Sequence, residues 1–101
     1  MSDVLAIDQS TSGTKAVLFD RTGRVLDIES RGHRQIYPRP GWVEHDADEI
    51  WRNTVEVVRE VIRRADGPAR DLAGLSITNQ RETCVVFDRA TGGPLHNAIV
   101  W

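Results

Sequence analysis

The sequence holds a single cysteine, Cys84. One thiol cannot close an internal bridge, so a disulfide scaffold is excluded. No His or Asn partner is suggested for it, and it reads as a small buried residue on a strand. No apolar run approaches the roughly 20 residues of a membrane span. The N-terminus, Met1-Ser2-Asp3 followed by four apolar residues, lacks the charged start and long apolar stretch of a signal peptide. A cytoplasmic location without membrane contact is therefore expected. Neither sign of charge dominates: thirteen Lys and Arg face fifteen Asp and Glu, a net charge of −2. That balance offers no basic footprint for nucleic acid. Neither G-x-x-x-x-G-K-[ST] nor G-x-G-x-x-G occurs, and there is no low-complexity segment.

What is present suits an ordinary soluble chain, 40% hydrophobic and 28% charged over 101 residues, enough for one domain or part of one. The informative stretch is Leu5-Ala6-Ile7-Asp8-Gln9-Ser10-Thr11-Ser12-Gly13-Thr14-Lys15. An apolar run delivers a carboxylate to its end, and a loop of small hydroxyl residues and glycine follows. Such a loop can offer N–H groups and hydroxyls to an anion, or be a plain polar hairpin turn.

Val4 to Ile7 reads as a central strand buried on both faces, Lys15 to Asp20 as a second and Val25 to about Gln35 as a third, an antiparallel meander. Asp20-Arg21-Thr22-Gly23 forms a turn. Ile36 to Asp46 is a loop broken by Pro38, Pro40 and Gly41, with Tyr37 and Trp42 expected to pin it to the body. His45 has no acid or metal partner nearby in sequence and reads as a surface or satisfied histidine. Asp46 and Glu49 have the spacing of a capping box. Ile50, Thr54, Val58, Val61 and Ile62 mark a helix face that Trp51 and Val55 widen, and Gly67-Pro68 stops the helix. Arg59, Arg63 and Arg64 suit its C-terminal end and read as a solvated face.

A fourth strand lies within Asp71 to Thr78. Strand, crossover helix and strand imply a right-handed unit with this strand parallel to the first. Ligands collect at such carboxyl ends, so Asp8 and its loop should lie near Thr78-Asn79-Gln80-Arg81-Glu82-Thr83. Cys84 to Asp88 reads as a fifth strand, with a turn at Arg89 to Gly93 and a return from Pro94 to Trp101. Phe19 to Gly23 and Phe87 to Gly92 repeat one turn pattern. The chain stops in apolar sequence at Asn97-Ala98-Ile99-Val100-Trp101, so it is expected to be an N-terminal fragment.

Asp8 suits Mg²⁺, a hard cation that takes carboxylate oxygen and keeps several waters. Thr11, Ser12, Gly13 and Thr14 suit phosphate oxygens, and Lys15 adds a compact positive charge. Phosphoryl transfer needs positioning, a metal and aimed donors more than covalent help. Arg81 and Glu82 supply one donor fork and one acceptor, fit for the hydroxyls of a polyol or sugar, or else a self-satisfied surface pair.

DQSTSGTKA, YPRPGWVEHD, EIW, ITNQRET and NAIVW together resemble the FGGY carbohydrate kinases, and within them the glycerol kinase branch. The likeness runs from Val4 to Trp101. It implies an α/β, actin-like and ribonuclease-H-like ATPase fold, with residues 1–101 as the N-terminal portion of the first kinase domain. It implies ATP-dependent phosphorylation of glycerol to sn-glycerol 3-phosphate in the full-length protein. Asp8 matches the metal-associated aspartate, Thr11, Ser12 and Gly13 the phosphate-binding turn, and Lys15 a nucleotide-phosphate contact usually made by arginine. Arg81 and Glu82 match the pair that binds glycerol hydroxyls, and Trp101 an indole packed against the glycerol carbons. The general base, adenine site and second domain would lie beyond Trp101, so the isolated chain is expected to be inactive. The turn departs from the glycerol branch, which usually has Gly-Thr-Thr-Ser-Ser-Arg where this chain has Ser10 to Lys15. That version leans toward other FGGY kinases, such as the xylulose branch; the alternative function is another FGGY sugar or polyol kinase, xylulose- or erythritol-type. A chaperone-like ATPase would share the loop but has no need of Arg81-Glu82. A ribonuclease-H-like nuclease would need clustered carboxylates and favours a basic surface.

Overall fold

The computed structural model describes residues 3–65 and 72–100. Three strands, β1 (Asp3–Gln9), β2 (Gly13–Phe19) and β3 (Val25–Gly32), form the antiparallel meander. A two-residue strand, β4 (Glu44–His45), precedes the helix α1 (Ala47–Arg64), and β5 (Leu72–Thr78) returns parallel to β1. The order β3-β2-β1-β5 places β1 centrally. A second short strand, β6 (Ala98–Ile99), pairs with β4.

Alternation along the strands sends Leu5, Ile7, Ala16 and Leu18 into the core, where Leu5, Ala16 and Leu18 meet Val57 and Val61 of α1. Fully burying one of the Leu, Ile or Val side chains contributes about 1.5–3 kcal/mol. The helix face is set by Val57 and Val61, whereas Trp51 is exposed. The opposite face of β1 is only half-buried at Val4 and Ala6, so the expected burial on both faces does not hold among the described residues.

Asp46 caps α1: its Oδ1 accepts from the Asp48 N–H at 3.0 Å. The reciprocal half of the capping box is diverted, because Glu49 Oε1 accepts from the Arg34 N–H at 3.0 Å and ties the loop after β3 to the helix. Arg64 is likewise not a free solvated residue. It grips Asp27 on β3 through two bonds of 2.9 and 3.0 Å and also donates to the Ile28 carbonyl. The expected stop at Gly67-Pro68 lies outside the described residues.

β3 ends at Gly32 rather than near Gln35, because its partner β2 begins at Gly13 and beyond it only the His33 N–H still reaches across, to the Ser12 carbonyl. Cys84 to Asp88 is not a strand. It makes only the isolated bridges Cys84 to Ile99 and Phe87 to Pro94, and Cys84 is exposed. Tyr37 and Trp42 do not pin their loop by burial. Both are exposed, and the Arg39 guanidinium lies over the Trp42 ring at 5.0 Å. The repeated turn does recur: Asp20 Oδ1 accepts from the Thr22 and Arg24 N–H groups, and Asp88 Oδ1 from those of Ala90 and Thr91. Gly23 (φ 88°) and Gly92 (φ 75°) supply the left-handed residue in each.

Candidate functional site

The hairpin between β1 and β2 is closed by Ser10, whose N–H and hydroxyl both donate to the Gly13 carbonyl at 2.9 Å. Its Oγ in turn accepts from the Gly13 N–H at 3.3 Å. The N–H groups of Thr11 and Ser12 are left without a protein acceptor among the described residues. Gly13 is required by close approach, because a Cβ there would lie 2.3 Å from the Arg31 carbonyl oxygen.

Asp8 pairs in register with Lys15 on one side and Thr78 on the other. Alternation puts Asp8 and Lys15 on the face away from α1. A cleft of about 250 Å³ opens beside them, lined by Asp8, Ser10, Ser12, Gly13 and Lys15, with Arg31 at its edge. One carboxylate and the Lys15 ammonium stand there beside the hydroxyl residues Ser10, Ser12 and Ser30, whereas the Arg31 guanidinium turns to the helix side and pairs with Glu29 at 3.0 Å and Glu56 at 3.5 Å. No cluster of three or more His, Cys, Asp or Glu occurs among the described residues, so no all-protein metal cage is formed. The donor set fits a cation held by one carboxylate, waters and phosphate oxygens, which is how Mg²⁺ is commonly bound.

Behind the turn, on the helix side, lies a polar layer that the sequence did not disclose. Thr14 Oγ1 is buried and bonds Gln9 Oε1 at 3.0 Å and His33 Nε2 at 3.2 Å. His33 Nδ1 faces Asn53 Nδ2 at 3.0 Å, and Gln9 Nε2 donates to Thr54 Oγ1. Since Asn53 Nδ2 only donates, His33 accepts at Nδ1 and donates from Nε2. His45 is wholly buried, with its ring centroid 5.6 Å from that of His33. It is thus the satisfied histidine of the two expected readings. Burial is the chief cause holding both imidazoles below their ordinary value of 6.5; the His45 ring adds to this at His33, and Glu49 opposes it at both.

The structure gathers Asp8, Ser12, Gly13 and Lys15 around one cleft, with Thr11 in the same turn. It does not bring Arg81 and Glu82 into that cleft. Both are exposed on a turn just beyond β5, and neither forms an ion pair among the described residues, so the self-satisfied pair is not seen. Glu82 has φ 66°, a left-handed conformation uncommon outside glycine. Gln80 Oε1 and Thr83 Oγ1, flanking the pair, are buried without hydrogen-bond partners. Trp101 lies outside the described residues.

Comparison with known proteins shows the family of the chain. The model of the FGGY family of carbohydrate kinases, N-terminal domain, matches residues 4–101. The chain belongs to the FGGY carbohydrate kinase family. Among FGGY relatives, it is 56% identical over 98 residues to a glycerol kinase of Nocardia farcinica, covering 97% of this chain and 20% of that protein. It is 59% identical over 96 residues to one of Methylorubrum extorquens, covering 95% and 19%. The chain thus spans about a fifth of the length of these relatives. Its structure superposes on the Plasmodium falciparum glycerol kinase solved with ADP with a TM-score of 0.87 and 39% identity, over 100% of this chain and 20% of the other. The ligand-bound xylulose kinase of Lactobacillus acidophilus matches with a TM-score of 0.89 and 25% identity, over 100% and 20%. The mixed sheet with its crossover helix is the fold shared by these kinases.

Proposed function

We propose that the full-length protein containing this chain transfers the γ-phosphoryl group of ATP to a terminal hydroxyl of glycerol, giving sn-glycerol 3-phosphate. The observation that carries the reading is the cleft in which Asp8 and Lys15 flank the Ser10–Gly13 turn, one strand away from Thr78 and the Arg81–Glu82 turn. Residues 1–101 are then the N-terminal portion of the first kinase domain, with a second domain and the general base elsewhere in the protein. The Thr11 and Ser12 N–H groups, the Ser12 hydroxyl and Lys15 bind phosphate oxygens, and Gly13 keeps the turn close to β3. Asp8 orients Mg²⁺ through oxygen ligation, and the bound ion supplies neutralisation of charge on the transferred group. Arg81 donates to polyol hydroxyls and Glu82 accepts from them, while Trp101 packs on the carbon chain. Among the described residues no helix is long and apolar enough to cross a membrane. We place the enzyme in the cytoplasm, as a possible homo-oligomer without nucleic-acid partners.

A second reading, another FGGY kinase of xylulose or erythritol type, is favoured by the Ser10–Lys15 version of the turn, with Ser10 and Lys15 where the glycerol branch usually has other residues. Release of ADP by the full-length protein, compared for glycerol, erythritol and xylulose, separates the two. Preference for glycerol supports the first reading, preference for another substrate supports the second, and no response to any of them defeats both.

A further inference from the structure

The Arg81–Glu82 turn and the Ser10–Gly13 turn are joined by one file of part-buried hydrogen bonds that passes through the buried His45. Gln80 Nε2 lies 3.3 Å from His45 Nδ1, and His45 Nε2 lies 2.8 Å from Gln35 Oε1. Gln35 Nε2 donates to the Thr11 carbonyl at 3.0 Å and to the His33 carbonyl at 3.2 Å. An amide nitrogen only donates, so His45 accepts from Gln80 at Nδ1 and donates from Nε2 to Gln35. The imidazole is therefore neutral and in one tautomer. Reversing any link sets donor against donor, or acceptor against acceptor, around a wholly buried imidazole. Each amide orientation dictates the next, from the Arg81–Glu82 turn to the backbone of Thr11.

His45 also has a rigid seat. It is wholly buried on β4, opposite Ala98 of β6, which is buried too. The turn it holds needs holding, because Glu82 is left-handed and such residues persist only where their surroundings over-determine them. On the far side the turn is fixed by paired backbone bonds between Cys84 and Ile99, at 3.2 and 3.1 Å. On the near side the anchor is the side chain of Gln80 on His45.

We propose that His45 is a positioning residue that fixes the Arg81–Glu82 turn relative to the Ser10–Gly13 turn, acting through Gln80 and Gln35. The inference rests on reading these turns as the polyol and phosphate parts of one kinase site. His45 touches neither substrate, so its loss weakens both together, whereas the residues that touch a substrate act mainly on one.

The test uses the full-length enzyme with His45→Leu, which fills the space but neither donates nor accepts, and His45→Gln, whose amide preserves the direction of the file. KM for glycerol and for ATP are measured with kcat. His45→Leu is expected to raise both KM values about five-fold, the scale of one lost hydrogen bond. His45→Gln is expected to hold both within about two-fold. A fall in kcat or soluble yield with both KM values unchanged, or a change in only one KM, overturns the proposal. If His45→Leu fails to fold, Gln35→Leu breaks the same file and must give the same paired rise. A wild-type enzyme that phosphorylates no polyol or sugar defeats the underlying reading instead. The file is then judged by hydrogen exchange: faster exchange at both turns in His45→Leu but not His45→Gln supports it, and faster exchange at one turn or neither overturns it.

Discussion

Asp8 sits directly opposite Thr78 in the parallel pairing of β1 and β5, so the end of the strand carrying the carboxylate and the start of the Asn79–Thr83 segment share one edge of the sheet. In the full-length protein, on the proposed function, Asp8→Asn keeps the shape of the strand end and removes its charge. It should lower kcat about 10²–10³-fold, the scale for losing one preorganised electrostatic contact, with little change in KM for glycerol. Steady-state kinetics with saturating Mg²⁺ checks this.

Gly13 stands where a side chain would strike the Arg31 carbonyl. Gly13→Ala should destabilise the chain by about 1–3 kcal/mol, because β3 must move away or strain. At Gly32 a Cβ would meet only an ordinary contact at 3.7 Å, so Gly32→Ala is the matched control with a much smaller effect. Urea unfolding of both variants gives the comparison.

The helix cap is separable from the capping box. Asp46→Ala should cost about 1 kcal/mol of stability. Glu49→Ala should leave the cap intact and release the loop around Arg34, since that is where its carboxylate is engaged. Hydrogen exchange at the Arg34 amide distinguishes the two.

Burial keeps His33 and His45 neutral in the folded chain. The unfolded chain takes up protons near the ordinary value of 6.5, while the folded chain does so only at lower pH. Stability is therefore full above about pH 7, falls as pH drops through 6.5, and levels off once the lowered folded values are reached. Replacing both histidines by glutamine should flatten that slope in urea titrations between pH 7 and 5.

The meander, the helix and the parallel return were legible because each rests on local pattern: apolar runs, turn residues and helical spacing. The segment from Cys84 to Asp88 was misread for the same reason. Its apolar run suits a strand, but a ladder needs consecutive pairs, and among the described residues this segment forms only two isolated bridges, at Cys84 and at Phe87. Asp8 and the turn could be read directly, since strand and loop are contiguous in sequence. His45 could not, because its partners Gln35 and Gln80 lie 10 and 35 residues away and are neutral amides that no charge pattern marks. The diverted Glu49 and the Asp27–Arg64 pair were hidden likewise, each joining segments far apart in the chain.

The central claim is that the two turns serve different substrates of one reaction. Comparing Lys15→Ala with Arg81→Ala in the full-length enzyme tests it most directly. Lys15→Ala should raise KM for ATP well above any change for glycerol, and Arg81→Ala should do the reverse. Arg81→Ala acting chiefly on ATP, or Lys15→Ala chiefly on glycerol, would contradict the assignment of the two turns.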